Sequence, residues 1–539
     1  MTRSGAGWPA VKTQAVLAAA VVVAAVLVAT GAGRTVATAA PSGPKFGDCP
    51  AEADIDPASG TQCAVVSVPM NYADPHGPTI DVTVSRIRAA DPSHRRGSMF
   101  VNPGGPGADV LGYWATRAKG LAAEIIDHYD RLAVQPRGLR WSTPLYCDPD
   151  PSGAQAGAPD VTAPRTSLRQ RCAAAQPGYL DTITTENTAR DLDAVRSALG
   201  IDRISYWGLS YGTYLGAVYS SLFGDRVDRM ILDSNVDPEW VWTELFAQQQ
   251  SARSDRYHDM FAWIAAHDDA YGLGDNARAV QDTWQDLVER EGGGWYANLA
   301  AAPVSIEAPA TLPEAIEDIV RDGFTGSREQ LEKLRNVVRT FTEGASATVP
   351  VLAATSIASY SRASWPVFAA ALGALSADPA DTDAIRDIVD RMPMDSANSN
   401  VLSAVTCNEN AIPGRPEMIA SALAKFASGG DSLDARADLV RAGLDCAQWD
   451  PVTTPVALSG ADLRTAPIVL QSRRDGATPY PGGPSMAATL GGSLVTVEGG
   501  DHGLFARGNR AVDDAVLTYL DSGTVPIDHA DEAPIDPPA

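Results

Sequence analysis

A serine held between glycines is where chemistry can start in this chain. Gly208-Leu209-Ser210-Tyr211-Gly212 fits G-x-S-x-G, a strand–turn–helix motif that lifts a serine hydroxyl clear of the backbone. A serine hydroxyl is a weak nucleophile at neutral pH. It needs a base, and the base needs an acid to orient it. Where such a turn carries the nucleophile, the acid and then the base follow it in the chain. Of the 7 histidines, His258, His267, His502 and His529 lie after Ser210. His502, in Gly499-Gly500-Asp501-His502-Gly503, follows the last strand-like run and is the candidate base. Asp475, in Arg473-Arg474-Asp475-Gly476-Ala477-Thr478, follows the preceding strand-like run and is the candidate acid; the alternative for an Asp before Gly is a simple turn. Asp501 competes, but adjacent loop residues rarely aim their side chains at each other, so Asp475 is preferred. A developing oxyanion needs two backbone N–H donors. Tyr211, directly after the serine, supplies one. The loop Pro103-Gly104-Gly105-Pro106-Gly107 supplies the other through Gly105, since Pro106 has no N–H. This is acyl-transfer chemistry that calls for no metal or organic cofactor, and no CxxC or metal-like His/Cys spacing is present.

Positioning these residues takes strands that alternate with helices. Residues 79–87 alternate Ile80, Val82 and Val84 with Asp81, Thr83 and Ser85, the pattern of a half-buried strand. Residues 98–102, 131–134, 204–207 and 227–232 read as further strands, the first of them running straight into the Gly/Pro loop. Between 185 and 200, Ala189, Leu192, Val195 and Leu199 share one helical face, with Thr184 or Thr185 as cap and Gly200 as stop. Residues 211–223 form the helix that the serine turn requires. Such alternation predicts an α/β fold, a mostly parallel sheet flanked by helices. After Asp237-Pro238 the pattern becomes mainly helical, at 249–269, 278–291, 312–320 and 327–342. Strand–helix order returns at 467–471 and 493–497, followed by a helix at 512–520. The return predicts an insertion that caps the site, the alternative being an independent helical domain. The expected division is a signal segment at 1–39, a first core part at 40–238, a helical cap at 239–455, a second core part at 456–522 and a flexible acidic, Pro-rich tail at 523–539.

The 539 residues carry a formal charge of −24, which argues against nucleic acid as a partner. Arg3 and Lys12 precede an apolar run at 15–30, and Ala37-Thr38-Ala39 follows as a cleavage pattern. Cleavage there predicts a secreted chain with no stable membrane association and a charge of about −27. The 6 cysteines all lie beyond that point. An even number in an exported chain suggests disulfides; six allow 15 connectivities, which sequence does not choose among, and the local pairing, Cys49 with Cys63, Cys147 with Cys172 and Cys407 with Cys446, is the expectation adopted.

Several stretches together resemble the tripeptidyl aminopeptidase-like branch of the α/β-hydrolases, related to proline iminopeptidases: Asn102-Pro103-Gly104-Gly105-Pro106-Gly107, Pro136-Arg137-Gly138, Ser205 through Gly216, Asp233 through Pro238, and Thr478-Pro479-Tyr480. The resemblance implies an α/β-hydrolase core and a secreted serine exopeptidase that takes short peptides, typically tripeptides, from free N-termini. It carries the nucleophile to Ser210, the acid to Asp475 and the base to His502. It also matches a Cys-Asn-acid segment to Cys407-Asn408-Glu409, which makes Glu409 a candidate for holding the substrate ammonium; the alternative is an exposed acid beside a disulfide. The chain departs from the family in three places. Gln135 stands where Asp is usual before Pro-Arg-Gly, Asp501 where Gly is usual before the histidine, and Asp109-Val110 where small residues are usual. Asp109 and Asp501 would add negative charge near the site. A carboxylesterase with the same triad is the nearest alternative function, and a catalytically silent binding protein on this fold is the more distant one.

Overall fold

The computed structural model describes residues 43–147, 165–303, 326–391, 396–447 and 449–535. The expected signal segment and the helix expected at 312–320 lie outside them. Nine strands form a single sheet: β1 (Gln62–Pro69), β2 (Thr79–Ile87), β3 (Gly97–Asn102), β4 (Tyr129–Val134), β5 (Ile204–Ser210), β6 (Val227–Asn235), β7 (Ile468–Ser472), β8 (Ser493–Glu498) and β9 (His529–Asp531), in the order β1-β2-β4-β3-β5-β6-β7-β8-β9. β2 is antiparallel to both β1 and β4, and every other pairing is parallel. The central strands read as continuous buried runs because both faces are covered. One face packs Phe100, Tyr206, Leu232 and Val469 under the helices Thr185–Ala198 and Tyr211–Phe223. The other packs Val101, Trp207, Ile231 and Leu470 under the helix Arg510–Ser522.

No described residue between β6 and β7 joins the sheet. That stretch is helical and has its own core, in which Phe261, Trp284, Phe368 and Leu372 are buried. Its first long helix spans Thr243–Ala265 rather than 249–269, and a separate turn follows at Asp268–Tyr271. The early start has a distant cause. Asn410 Oδ1 accepts the Trp242 and Thr243 N–H groups and the Thr243 hydroxyl, so a residue far along the chain supplies the cap. The tail also differs from expectation. Residues 529–531 pair with β8, Ala530 is buried, and Glu532 pairs with Arg362 and accepts the Gly500 N–H. Three residues are too few to show a strand period, so composition alone read them as mobile.

The disulfides join Cys49 to Cys63, Cys147 to Cys172 and Cys407 to Cys446. The Pro-Arg-Gly stretch has a structural job. Arg137 is fully buried and forks onto Asp191, at 2.7 Å from Nε and 2.6 Å from Nη2, while Nη1 reaches the carbonyl of Met70 at 2.7 Å. It ties the β1–β2 turn to the helix Thr185–Ala198. Removing one partner of such a pair strands a buried charge. Arg137→Leu is therefore expected to cost about 3–5 kcal/mol, measured by urea unfolding; an unchanged midpoint would mean that Asp191 finds other compensation.

Candidate active site

Four adjacent parallel strands place the candidate residues at one edge of the sheet. Ser210 closes β5, Asp233 to Asn235 close β6, Asp475 follows β7 and His502 follows β8. Parallel strands deliver all their C-terminal ends to the same side, so residues far apart in sequence meet there. Ser210 has φ +59°, a conformation disfavoured for a side-chain-bearing residue. The turn around it is close-packed: a Cβ on Gly212 would run into the Asn102 carbonyl, and one on Gly208 into the Gly212 carbonyl. Only glycine lets the helix Tyr211–Phe223 start this near the sheet. Gly104, at φ +106°, lies directly over the serine, and a Cβ there would come within 2.7 Å of Ser210 Cβ and 3.0 Å of the Tyr211 nitrogen. The glycine loop that contains Gly105 is thus seated against the turn that contains Ser210 and Tyr211.

His502 Nδ1 lies 3.0 and 3.1 Å from the two oxygens of Asp475. Asp475 is 1% exposed and also accepts the Ala477 and Thr478 N–H groups and the Thr478 hydroxyl. Burial pushes its carboxyl upward, but the charge and hydrogen bond of His502 and the two N–H groups more than offset this, so it titrates below the usual carboxylate range. Asp501 faces elsewhere: its Oδ1 accepts from Arg256 at 2.9 Å and from the Arg362 N–H at 2.6 Å. Asp109 is likewise engaged, by Gln135 Nε2 at 2.5 Å and Arg140 at 2.7 Å. Gln135 also accepts the Val110 N–H. An Asp at 135 could not donate to Asp109, so the two departures from the family pattern fit each other. Both acids that might have charged the site are paired.

Some residues of the site were not legible in the sequence. The His502 N–H donates to the Tyr360 carbonyl at 2.8 Å, and the Tyr360 ring stands edge-on to the imidazole at 5.3 Å. Asp233 accepts the Leu504 and Phe505 N–H groups, and the Ser234 hydroxyl accepts that of Gly503. On the other side of the serine, Asn398 Nδ2 donates to the Gly107 carbonyl at 2.5 Å. Asp233 and Ser234 fall in a stretch that carries the family resemblance, but no local pattern pointed to Tyr360 or Asn398; Thr478, which donates to Asp475, had one, its spacing of three after an Asp, which suits an Asx-type turn.

Glu409 is not an exposed acid. It is 2% exposed, at the end of the helix Ser396–Glu409, and accepts both the N–H and the hydroxyl of Thr185. Thr185 Oγ1 lies 3.0 Å from the Tyr211 hydroxyl. Burial raises its carboxyl to about 7, against the opposing pull of the Thr185 groups. Among the described residues no three His, Cys, Asp or Glu side chains converge as metal ligands.

A carboxyl whose folded pKa is raised binds more protons folded than unfolded, so its contribution to stability declines as pH rises from the unfolded value towards 7. Relative to the wild type, Glu409→Gln is expected to gain on the order of 3 kcal/mol of stability between about pH 4 and about pH 8. Urea midpoints across that range would show it, and a pH-independent difference would refute it.

Two family models match the chain: "alpha/beta hydrolase fold" over residues 97–302 and "TAP-like protein" over residues 432–532. The tripeptidyl aminopeptidase of Streptomyces lividans is 32% identical over 92% of this chain and 87% of its own length. The serine protease Hip1 of Mycobacterium tuberculosis is 28% identical over 87% of this chain and 86% of its own. Carboxylesterase B of the same organism is 30% identical over 88% and 86%. With these relatives spanning nearly its whole length, the chain is a serine hydrolase and belongs to the tripeptidyl aminopeptidase-like family of α/β-hydrolases.

Proposed function

We propose that this protein is an exported serine peptidase that removes short peptides, tripeptides on the family pattern, from free N-termini. The observation that carries the reading is the buried Asp475–His502 pair, standing at the strand edge where Ser210 is held at positive φ. Ser210 Oγ attacks the scissile carbonyl and His502 takes its proton through Nε2, the ring nitrogen not engaged by Asp475. Asp475 fixes the tautomer and stabilises the imidazolium. The Gly105 and Tyr211 N–H groups receive the oxyanion. His502 then protonates the leaving amine, and water releases the acyl-enzyme. The helical stretch 239–455 serves as the cap, and Glu409 binds the substrate ammonium. Export rests on the leader-like sequence at 1–39 and is supported by three disulfides, which persist in oxidising compartments.

An ester substrate is the second reading, favoured by the similarity to carboxylesterase B, since fold and triad do not fix the acyl group transferred. A peptide library with free and acetylated N-termini, read by mass spectrometry against a Ser210→Ala control, separates the two. Short N-terminal fragments are expected from free termini only. Ester hydrolysis without peptide cleavage would overturn the peptidase reading. Asp475→Asn is expected to lower kcat by about 10³–10⁴, whereas Asp501→Asn, which breaks only the contacts to Arg256 and Arg362, is expected to cost far less. Equal losses would reassign the acid. Glu409→Gln is expected to erase the preference for free over acetylated termini; an unchanged preference would remove Glu409 from that role.

A further inference from the structure

Basic residues are outnumbered by acids here, 42 Lys and Arg against 66 Asp and Glu, and several buried or insertion-facing arginines meet carboxylates. Arg137 meets Asp191, Arg140 meets Asp109, Arg256 meets Asp501 and Arg441 meets Glu244. Arg253 and Arg436 do not. Among the described residues neither guanidinium meets a carboxylate. Arg253 Nη2 lies 3.5 Å from the Tyr360 hydroxyl, and its Nε is buried with no partner. An unpaired, desolvated N–H of this kind costs free energy unless a ligand satisfies it.

Both arginines line one cavity of about 190 Å³, bounded by the helices Thr243–Ala265, Ser396–Glu409 and Ser432–Arg441. The only carboxylate on the cavity wall among the described residues is Asp445, which has contacts of its own. Residues of the cavity wall are linked to parts of the site. Gln249 on its wall donates to the Ala477 carbonyl in the Asp475 loop at 2.8 Å. Trp242 packs against Tyr211 at 5.7 Å, and Tyr360, within reach of Arg253, stands on His502. A guanidinium fork is matched to a carboxylate, which it can grip through two parallel hydrogen bonds.

We propose that this cavity is a subsite for a carboxylate of the peptide substrate, held by Arg253 and Arg436. The inference rests on the peptidase reading and adds to it a preference for an acidic group. That carboxylate is either an Asp or Glu side chain or the C-terminus of a short peptide.

The test uses the mature protein and peptides with free N-termini. Pairs differ only by Glu against Gln at each of the first five positions, each with a free or amidated C-terminus. The expected result is a kcat/KM about tenfold or more higher for the charged member of one comparison. A Glu preference that persists in amidated peptides identifies a side-chain carboxylate, and a preference for free over amidated C-termini identifies the terminal one. Arg436→Met should bring that ratio close to one. Arg436→Glu, a change at an exposed position, should shift preference from Glu or the free carboxylate towards Lys at the same position or the amide. Peptides cleaved at equal rates in every comparison would overturn the subsite and leave the peptidase reading standing. Hydrolysis of esters with no peptide cleaved would overturn the peptidase reading, and this inference with it.

Discussion

The loop that carries His502 cannot satisfy its own backbone. Four successive N–H groups, from His502 to Phe505, are all taken by distant partners: the Tyr360 carbonyl, the Ser234 hydroxyl and the Asp233 carboxylate. Asp233 is fully buried, and burial pushes its carboxyl upward while the Leu504 and Phe505 N–H groups pull it down. Burying a carboxylate is expensive unless it is hydrogen-bonded, and here those bonds hold the imidazole loop. A side chain that is costly to bury thus fixes where the imidazole loop sits. Because β6 lies between β5 and β7, the anchor is the strand next to the one that ends in Ser210. Ser210 and His502 are referenced to a common rigid element, the arrangement that the proposed pairing of nucleophile and base requires.

Charge is handled in the same way throughout the site. A chain with a net charge of −24 brings Asp109, Asp233, Asp475, Asp501 and Glu409 to a small region, and uncompensated they would repel one another and any acidic substrate. Each is instead absorbed by specific donors: Gln135 and Arg140, the loop N–H groups, His502, Arg256, and Thr185 at a helix start, respectively. Position 501 shows the logic. A residue that by sequence looked like added negative charge is a bracket between the histidine loop and the helical insertion, its carboxylate shared by Arg256 and the Arg362 backbone. The overall charge of the protein therefore says little about the field at the serine, which depends on local pairing.

The parts that were legible in the sequence are those with a local cause. Alternating Ile80, Val82 and Val84 gave β2 its observed limits, Thr184 caps its helix by accepting the Asn187 N–H, and the glycines of the serine turn sit where a Cβ has no room. The parts that were not legible have distant causes. Gln62–Pro69 is a strand because β2 pairs with it, and Asp531 is ordered next to Glu498 because β8 leaves an open edge. Thr243 starts a helix because Asn410 caps it. Glu409 is buried because the helix that carries it lies against Thr185. Tyr360 could not be assigned to the site at all, since its carbonyl, the atom that contacts His502, is common to every residue type. Sequence pattern reports the propensities of neighbours, and these contacts are between strangers.

The helical insertion touches the site on opposite flanks, and this limits how it can move. Asn398 holds the Gly107 carbonyl on the oxyanion-loop side, while Tyr360 and Arg362 hold the His502 loop on the other, with Arg256 stacked on Trp365 between them and the insertion's own core. An insertion that swung away as a free lid would have to break backbone hydrogen bonds and a fully buried arginine's ion pair, and it would withdraw a support from His502 at the same moment. Moving the insertion away and keeping His502 in place are therefore opposed. Substitutions at the contacts of Asn398, Tyr360 and Arg362 would therefore be felt at the serine turn and the His502 loop although none of the three lies on the strands that carry them.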